Sequence, residues 1–455
     1  MVTPRDQALV SAETKIQGTT LQMTGARKLG FWMTLALVVG NMIGSGIYIL
    51  PATLAPLGYN QLIGWAVTLG GALCLAFTFA RLGARLPLAG GPYAYAQAAF
   101  GPVGGFITAW SYWTMVWAGN GAVAVAVVSN LSLIFPLMGR IPGLPAVLSV
   151  GCVWLLTAVN IRGVRAAGDV SVVTTALKLV PLVGLIGLTL WLLMTGAPHA
   201  VQPAVPLSGS VVATAAGLTF WGFLGLESAT VPADKVDNAA TIVPRATLIG
   251  VALTGFVYIG ISTAFALYMP MQTAAASPAP VADFLARFFG SGVGQVVAVF
   301  AAISAFGTLN GFILLQGEVP WAMAKGGVFP RWFAAEGPRG TPVRSHIVSS
   351  ILLSIVTLLN FGRGMGDLFA FIASVSLAAG MLSYFLAMLA AVRLLPTERL
   401  LVVAALVGAG FIGWAAWGLG VEALAYGAGF IALGLPVYLW IRRDAAVSTG
   451  PNDRE

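Results

Sequence analysis

Long apolar runs separated by short polar connections fill the chain from Phe31 to Ile441. Twelve can be marked off: Phe31–Leu57, Leu62–Leu86, Val103–Phe135, Leu144–Ile161, Val170–Met194, Val211–Val231, Ala246–Met269, Val293–Ala324, Ile347–Phe361, Leu368–Val392, Leu400–Gly418 and Ala423–Ile441. A helix needs about 20 apolar residues to cross a bilayer. Unbroken runs of this kind predict helical spans, because barrel strands would alternate in short segments. The expected fold is an all-α integral membrane protein of twelve spans.

Composition agrees. Of 455 residues, 58% are apolar and 8% charged, whereas charged residues make up about a quarter of a soluble domain. A soluble multidomain enzyme and a disordered chain are both excluded. The net charge of +8 accompanies no basic run or nucleic-acid motif, so no nucleic-acid partner is expected. The partners expected are the lipid bilayer and a small molecule. Cys74 and Cys152 both lie in apolar runs and imply no disulfide framework. The stretch before Ala26 is polar and does not read as a cleavable signal peptide.

The basic residues orient the spans. With twelve spans, one side collects Arg5, Lys15, Arg27, Lys28, Arg81, Arg85, Arg162, Arg165, Lys235, Arg245, Lys325, Arg331, Arg339, Arg344, Arg393, Arg399, Arg442, Arg443 and Arg454. The other holds only Arg140, Arg287 and Arg363. Nineteen against three places both termini in the cytoplasm. Lys178 remains, inside span 5.

Two clusters of small residues fall in mid-span. Span 1 contains Gly40-Asn41-Met42-Ile43-Gly44-Ser45-Gly46 followed by Pro51, and span 6 contains Trp221-Gly222-Phe223-Leu224-Gly225 followed by Glu227 and Pro232. Glycine-mediated helix packing accounts for either alone. As a pair, one in each half and five spans apart, they point to interrupted helices of an inverted-repeat transporter. An unwound point exposes N–H groups that attract a carboxylate and carbonyls that attract an ammonium.

Gly40-Asn-Met-Ile-Gly-Ser-Gly-Ile47, Gly90-Gly91-Pro92-Tyr93-Ala94-Tyr95, Trp221-Gly-Phe-Leu-Gly-Leu-Glu227-Ser228 and Phe329-Pro330 resemble the amino acid–polyamine–organocation (APC) superfamily of transporters. The likeness runs from about Leu29 to Arg442 and is strongest to bacterial basic amino acid/polyamine antiporters such as the arginine/agmatine exchangers. It implies a LeuT-like five-plus-five inverted repeat with broken helices 1 and 6. The first repeat would be residues 27–195 and the second 211–393, with two extra helices at 400–442 and cytoplasmic tails at 1–26 and 443–455.

The resemblance also assigns residues. A substrate carboxylate would meet backbone N–H groups at Gly44, Ser45 and Gly46, and its ammonium would meet carbonyls near Ile43, Trp221 and Leu224. The Trp221 face would stack on a cationic side chain. Asn120 and Ser376 would contact the substrate's distal end, although mid-span Asn and Ser also serve as interhelical hydrogen-bonding groups. Phe312 stands where the exchangers carry a second stacking tryptophan. Glu227 would form a cytoplasmic gate with Tyr112 and Tyr384. Lys178 departs from the exchangers, which carry an apolar residue there. In proton-coupled amino acid transporters and some neutral exchangers of the superfamily, a lysine at this place stands where sodium binds in sodium-coupled cousins. It is the candidate for proton or cation coupling.

Glu318, near Pro320, reads as structural or water-exposed. His199 and His346 lack metal-ligand spacing, and no phosphate-binding motif is present, so no metal, cofactor or ATP is called for. The expected function is exchange of a basic amino acid such as arginine for its amine (agmatine) or a related amino acid. The alternative is a proton-coupled or exchanging carrier of neutral amino acids, suggested by Lys178 and Phe312. A channel lacks a filter motif, and an enzyme lacks a cluster of reactive groups. Relatives include dimers, but the apolar faces here do not indicate one.

Overall fold

The computed structural model describes residues 30–448 except 87–90, 163–164, 231–235, 339 and 361, with side chains left out at 165–173 and 442–448. The tail 1–26, the end of the tail 443–455, Gly90, Pro232, Lys235 and Arg339 therefore lie outside the described residues. The chain is helical: α1 (Phe31–Met42), α2 (Gly46–Leu54), α3 (Asn60–Arg85), α4 (Pro92–Ser132), α5 (Leu144–Arg162), α6 (Arg165–Met194), α7 (Gly209–Phe220), α8 (Ala239–Tyr268), α9 (Ser291–Lys325), α10 (Val343–Leu359), α11 (Met365–Leu394), α12 (Arg399–Gly418), α13 (Val421–Ala432) and α14 (Gly434–Ser448).

Ten segments among the described residues are long and apolar enough to cross a membrane, the first being Phe31–Leu57 and the last Val421–Ile441. Two shorter apolar helices, Gly209–Phe223 and Val343–Leu359, occupy the places where the sequence suggests spans 6 and 9. α7 is short because it stops at the second glycine cluster. Its start is capped by Ser208, whose Oγ accepts the Val211 N–H at 3.2 Å, as an N-cap residue should.

Two helical pieces were not expected. α4 begins eleven residues before the run at Val103, at Pro92. Gly101 takes φ +73° inside it, ahead of Pro102, a conformation that glycine adopts without penalty. The lead helix thus bends away from the span. Between α8 and α9, Met271–Ala276 and Pro280–Phe289 form short helices. The second is amphipathic, burying Val281, Phe284 and Leu285.

The core is threaded by α4, whose residues from Ser111 to Asn130 are all buried, and its most extensive neighbour is α11. At one end of the bundle Arg81 and Arg85 both donate to Glu398, and hydrogen bonding from Arg81 holds that carboxyl below the usual carboxylate range. Such exposed pairs contribute at most about 1 kcal/mol. Glu398→Gln is expected to lower detergent-solubilised thermal stability by no more than that. Because the folded carboxyl is the more acidic, the same contribution is present at neutral pH and disappears on acidification through the carboxylate range; a Glu398→Gln protein with an unchanged acid limb would contradict it.

Candidate functional site

Two helix interruptions face each other at the centre of the bundle. α1 ends at Met42, Ile43 takes φ −77° and ψ 82°, and α2 starts at Gly46. The Gly44 N–H turns back to Met42 O at 2.9 Å instead of closing a helical turn on Gly40 O. The second interruption follows α7: Trp221–Phe223 is a 3-10 turn, Leu224 is extended, and turns run on to Thr230. Gly225 has φ +98°, and a Cβ there would sit 2.9 Å from Asn41 Cβ. Glycine is required both by conformation and by the approach of the two interruptions. Tyr258 of α8 links them, its hydroxyl lying 2.6 Å from Met42 O and 3.0 Å from Gly222 O.

Between the interruptions, α4 and α9 lies a cavity. Its wall includes Gly44, Ser45 and Gly46 from the first interruption, Trp221 and Leu224 from the second, Asn120 from α4 and Phe312 from α9. None of its lining residues is charged. Charge recognition there falls to helix ends: the first N–H groups of α2 have no intrahelical partner and carry the positive end of the helix dipole. Trp221 forms one side. A Cβ on Gly46 would lie 3.0 Å from the indole Cδ1, and one on Gly119 would lie 3.1 Å from Cη2. The indole therefore runs lengthwise from the first interruption to α4. It also borders a second, smaller cavity that includes Thr53 and Phe369, with the Phe369 and Trp221 rings edge to face at 6.1 Å.

The expected gate residues come together. Tyr112 donates to Glu227 Oε1 at 2.9 Å and Tyr384 to Oε2 at 2.7 Å, and all three side chains are buried. Lys178 is 2% exposed and donates to Gly40 O and Thr308 Oγ1, each at 2.7 Å. Gly40 O is a carbonyl that the helix interruption leaves free, so the lysine occupies a consequence of the break.

One expected contact is not brought to the cavity: Ser376 donates to Met115 O at 2.7 Å and is packed behind Gly119. His346 is also buried, lodged against Gly317 of α9, and no group of three or more His, Cys, Asp or Glu able to hold a metal exists among the described residues. Sequence reasoning missed Asn41, Tyr258, Thr308 and Gln316. Gln316 could have been found, since it lies one helical turn after Phe312 in an apolar run and therefore on the same face.

The amino acid permease family profile matches residues 29–439. The chain belongs to the amino acid permease family. Its fellow members are transporters, and it is a multi-pass membrane transporter rather than an enzyme. It is similar to the cadaverine/lysine antiporter of Escherichia coli (strain K12), 32% identical over 370 residues covering 80% of this chain and 83% of the relative. It is also similar to the putrescine transporter PotE of the same organism, 30% identical over 424 residues, covering 91% and 96%. Among solved structures it resembles Mhp1, a nucleobase–cation symport-1 family transporter in a closed conformation, with TM-score 0.52 and 14% identity over 89% of this chain and 97% of that one. That likeness concerns the fold alone.

Proposed function

We propose that the chain crosses the inner membrane twelve times with both termini cytoplasmic, as two inverted five-helix repeats (27–195 and 211–393) followed by two further helices. It exchanges a basic amino acid for its decarboxylated amine, or for a second basic amino acid, by alternating access. The observation that carries this reading is an uncharged cavity whose side is one long indole face, running from the exposed N–H groups of α2 to the Asn120 amide. A carboxylate suits the helix N-terminus, an aliphatic cationic chain suits Trp221, and the terminal cation suits Asn120. Relatives named for cadaverine, lysine and putrescine support the same class. In this reading Glu227, Tyr112 and Tyr384 close the cytoplasmic route.

Labelled lysine or arginine entering proteoliposomes is expected to require internal amine or basic amino acid. A basic amino acid carries net charge about +1 and its diamine about +2 at neutral pH, so amino acid–amine exchange moves charge and exchange of two basic amino acids does not. Uptake indifferent to internal substrate would remove the exchange claim, and absence of basic amino acid uptake would remove the substrate class. A second reading, transport of neutral amino acids, is favoured by Lys178 at the first interruption. Saturable alanine uptake that lysine does not compete would establish it.

A further inference from the structure

Asn120 does not stand alone in the cavity wall. Its Nδ2 donates to Gln316 Oε1 at 2.8 Å, and its Oδ1 is buried with no hydrogen-bond partner. Gln316, fully buried on α9, is held at both ends. Its Nε2 donates to Ser350 Oγ at 2.9 Å, and that oxygen lies 2.7 Å from Thr157 Oγ1 of α5. Its backbone carbonyl accepts from Ser349 Oγ at 2.9 Å, while Ser349 Oγ accepts from Trp113 Nε1 at 2.9 Å. The indole N–H can only donate, which fixes the direction of that second chain.

The direction of the amide chain decides what the cavity offers. With Gln316 Oε1 taking the Asn120 N–H, the Asn120 carbonyl oxygen is left over, and a buried acceptor without a donor is a rare and costly arrangement. The reverse direction would spend the oxygen on Gln316 and present N–H groups, which suit a carboxylate and repel an ammonium. We infer that Gln316 is a positioning residue setting the cation preference of the transport site: it turns the Asn120 carbonyl oxygen toward the cavity, so that the site takes substrates whose distal end is an N–H donor, an ammonium above all. This rests on the basic-substrate reading and adds the group that enforces it without touching substrate.

The test compares lysine with norleucine, which has the same chain but lacks the ε-ammonium, as competitors of labelled lysine uptake in proteoliposomes. Wild type is expected to favour lysine by about tenfold or more, the usual worth of a hydrogen bond to a charged group. Gln316→Leu and Gln316→Met free the Asn120 amide to rotate and should cut that ratio about tenfold. Gln316→Glu still accepts the Asn120 N–H and should keep it. Asn120→Ala combined with Gln316→Leu should lose no more selectivity than Asn120→Ala alone, since one acts through the other. Gln316→Leu and Gln316→Met proteins with less uptake but an unchanged lysine/norleucine ratio would overturn the inference while leaving the substrate class standing. Wild type without preference for lysine would overturn both. Should the apolar variants fail to assemble, Gln316→Glu decides: a collapsed ratio there refutes the positioning role.

Discussion

Lys178→Ala is expected to reduce exchange at least about 100-fold, equivalent to roughly 3 kcal/mol. The reason is positional. Interrupting α1 sends the Gly44 N–H to Met42 O and strands Gly40 O, which Lys178 Nζ satisfies together with Thr308 Oγ1. One side chain therefore joins α6, the end of α1 and α9 within the apolar interior, where an unsatisfied polar group costs about 1–3 kcal/mol. Tyr48 Oη donates to the Lys178 backbone carbonyl, a bond that alanine would keep. The loss should thus fall on the interruption rather than on the packing of α6. Lys178→Met, which retains most of the volume, should behave like alanine. Initial exchange rates in proteoliposomes and melting in detergent check this together. Wild-type rates in Lys178→Met would show the ammonium to be dispensable. If neutral amino acids prove to be substrates, the pH profile of alanine uptake should flatten in the same variants.

What could be read from the chain depended on how local the signal is. The extent Phe31–Leu57 was legible to the residue because hydropathy alone defines it, and the two interruptions were legible because the two glycine clusters stand as a pair, in mid-span and five spans apart. Glu227 and Lys178 stood out as charged groups where hydrocarbon penalises them, whereas Tyr112 and Tyr384, and the roles of all four, came from resemblance rather than from pattern. The short helix Pro280–Phe289 did not stand out, since its Asp283 and Arg287 break an apolar run well below spanning length.

Partner choice was the illegible part. Ser376 on a span facing α4 could turn to the cavity or to Met115 O, and its place behind Gly119 is visible only in the packed structure. Tyr258 reads in sequence as one more packing aromatic, yet its hydroxyl reaches carbonyls at both interruptions, 216 and 36 residues away. Gln316 was visible as a polar residue, but its meaning lies in Asn120, 196 positions earlier. Hydrogen-bond direction along such a chain is a three-dimensional property that no spacing encodes.

Glu227→Ala is expected to be the most destabilising single change at the site. Tyr112 and Tyr384 sit on α4 and α11, the most extensive helix pair, whereas Glu227 sits on the irregular segment after α7. The carboxylate thus bonds that segment to both tyrosine hydroxyls of the α4–α11 frame, through one oxygen each. Removing it takes the acceptor from two buried hydroxyls, at up to about 1–3 kcal/mol apiece, with the sum reduced because the pair acts through one acceptor. Tyr112→Phe and Tyr384→Phe each leave the carboxylate its other tyrosine and should cost less, about 1–2 kcal/mol. Glu227→Gln should fall between, since the amide keeps one accepting oxygen and offers the other tyrosine only a donor. Melting in detergent should therefore rank Ala lowest, Gln next and the two Phe variants highest. Exchange in proteoliposomes should follow the same order if closure of this trio is a step in the cycle. A stable Glu227→Gln protein exchanging at the wild-type rate would confine the trio to a structural role, because only the function requires that the carboxylate release and recapture both tyrosines.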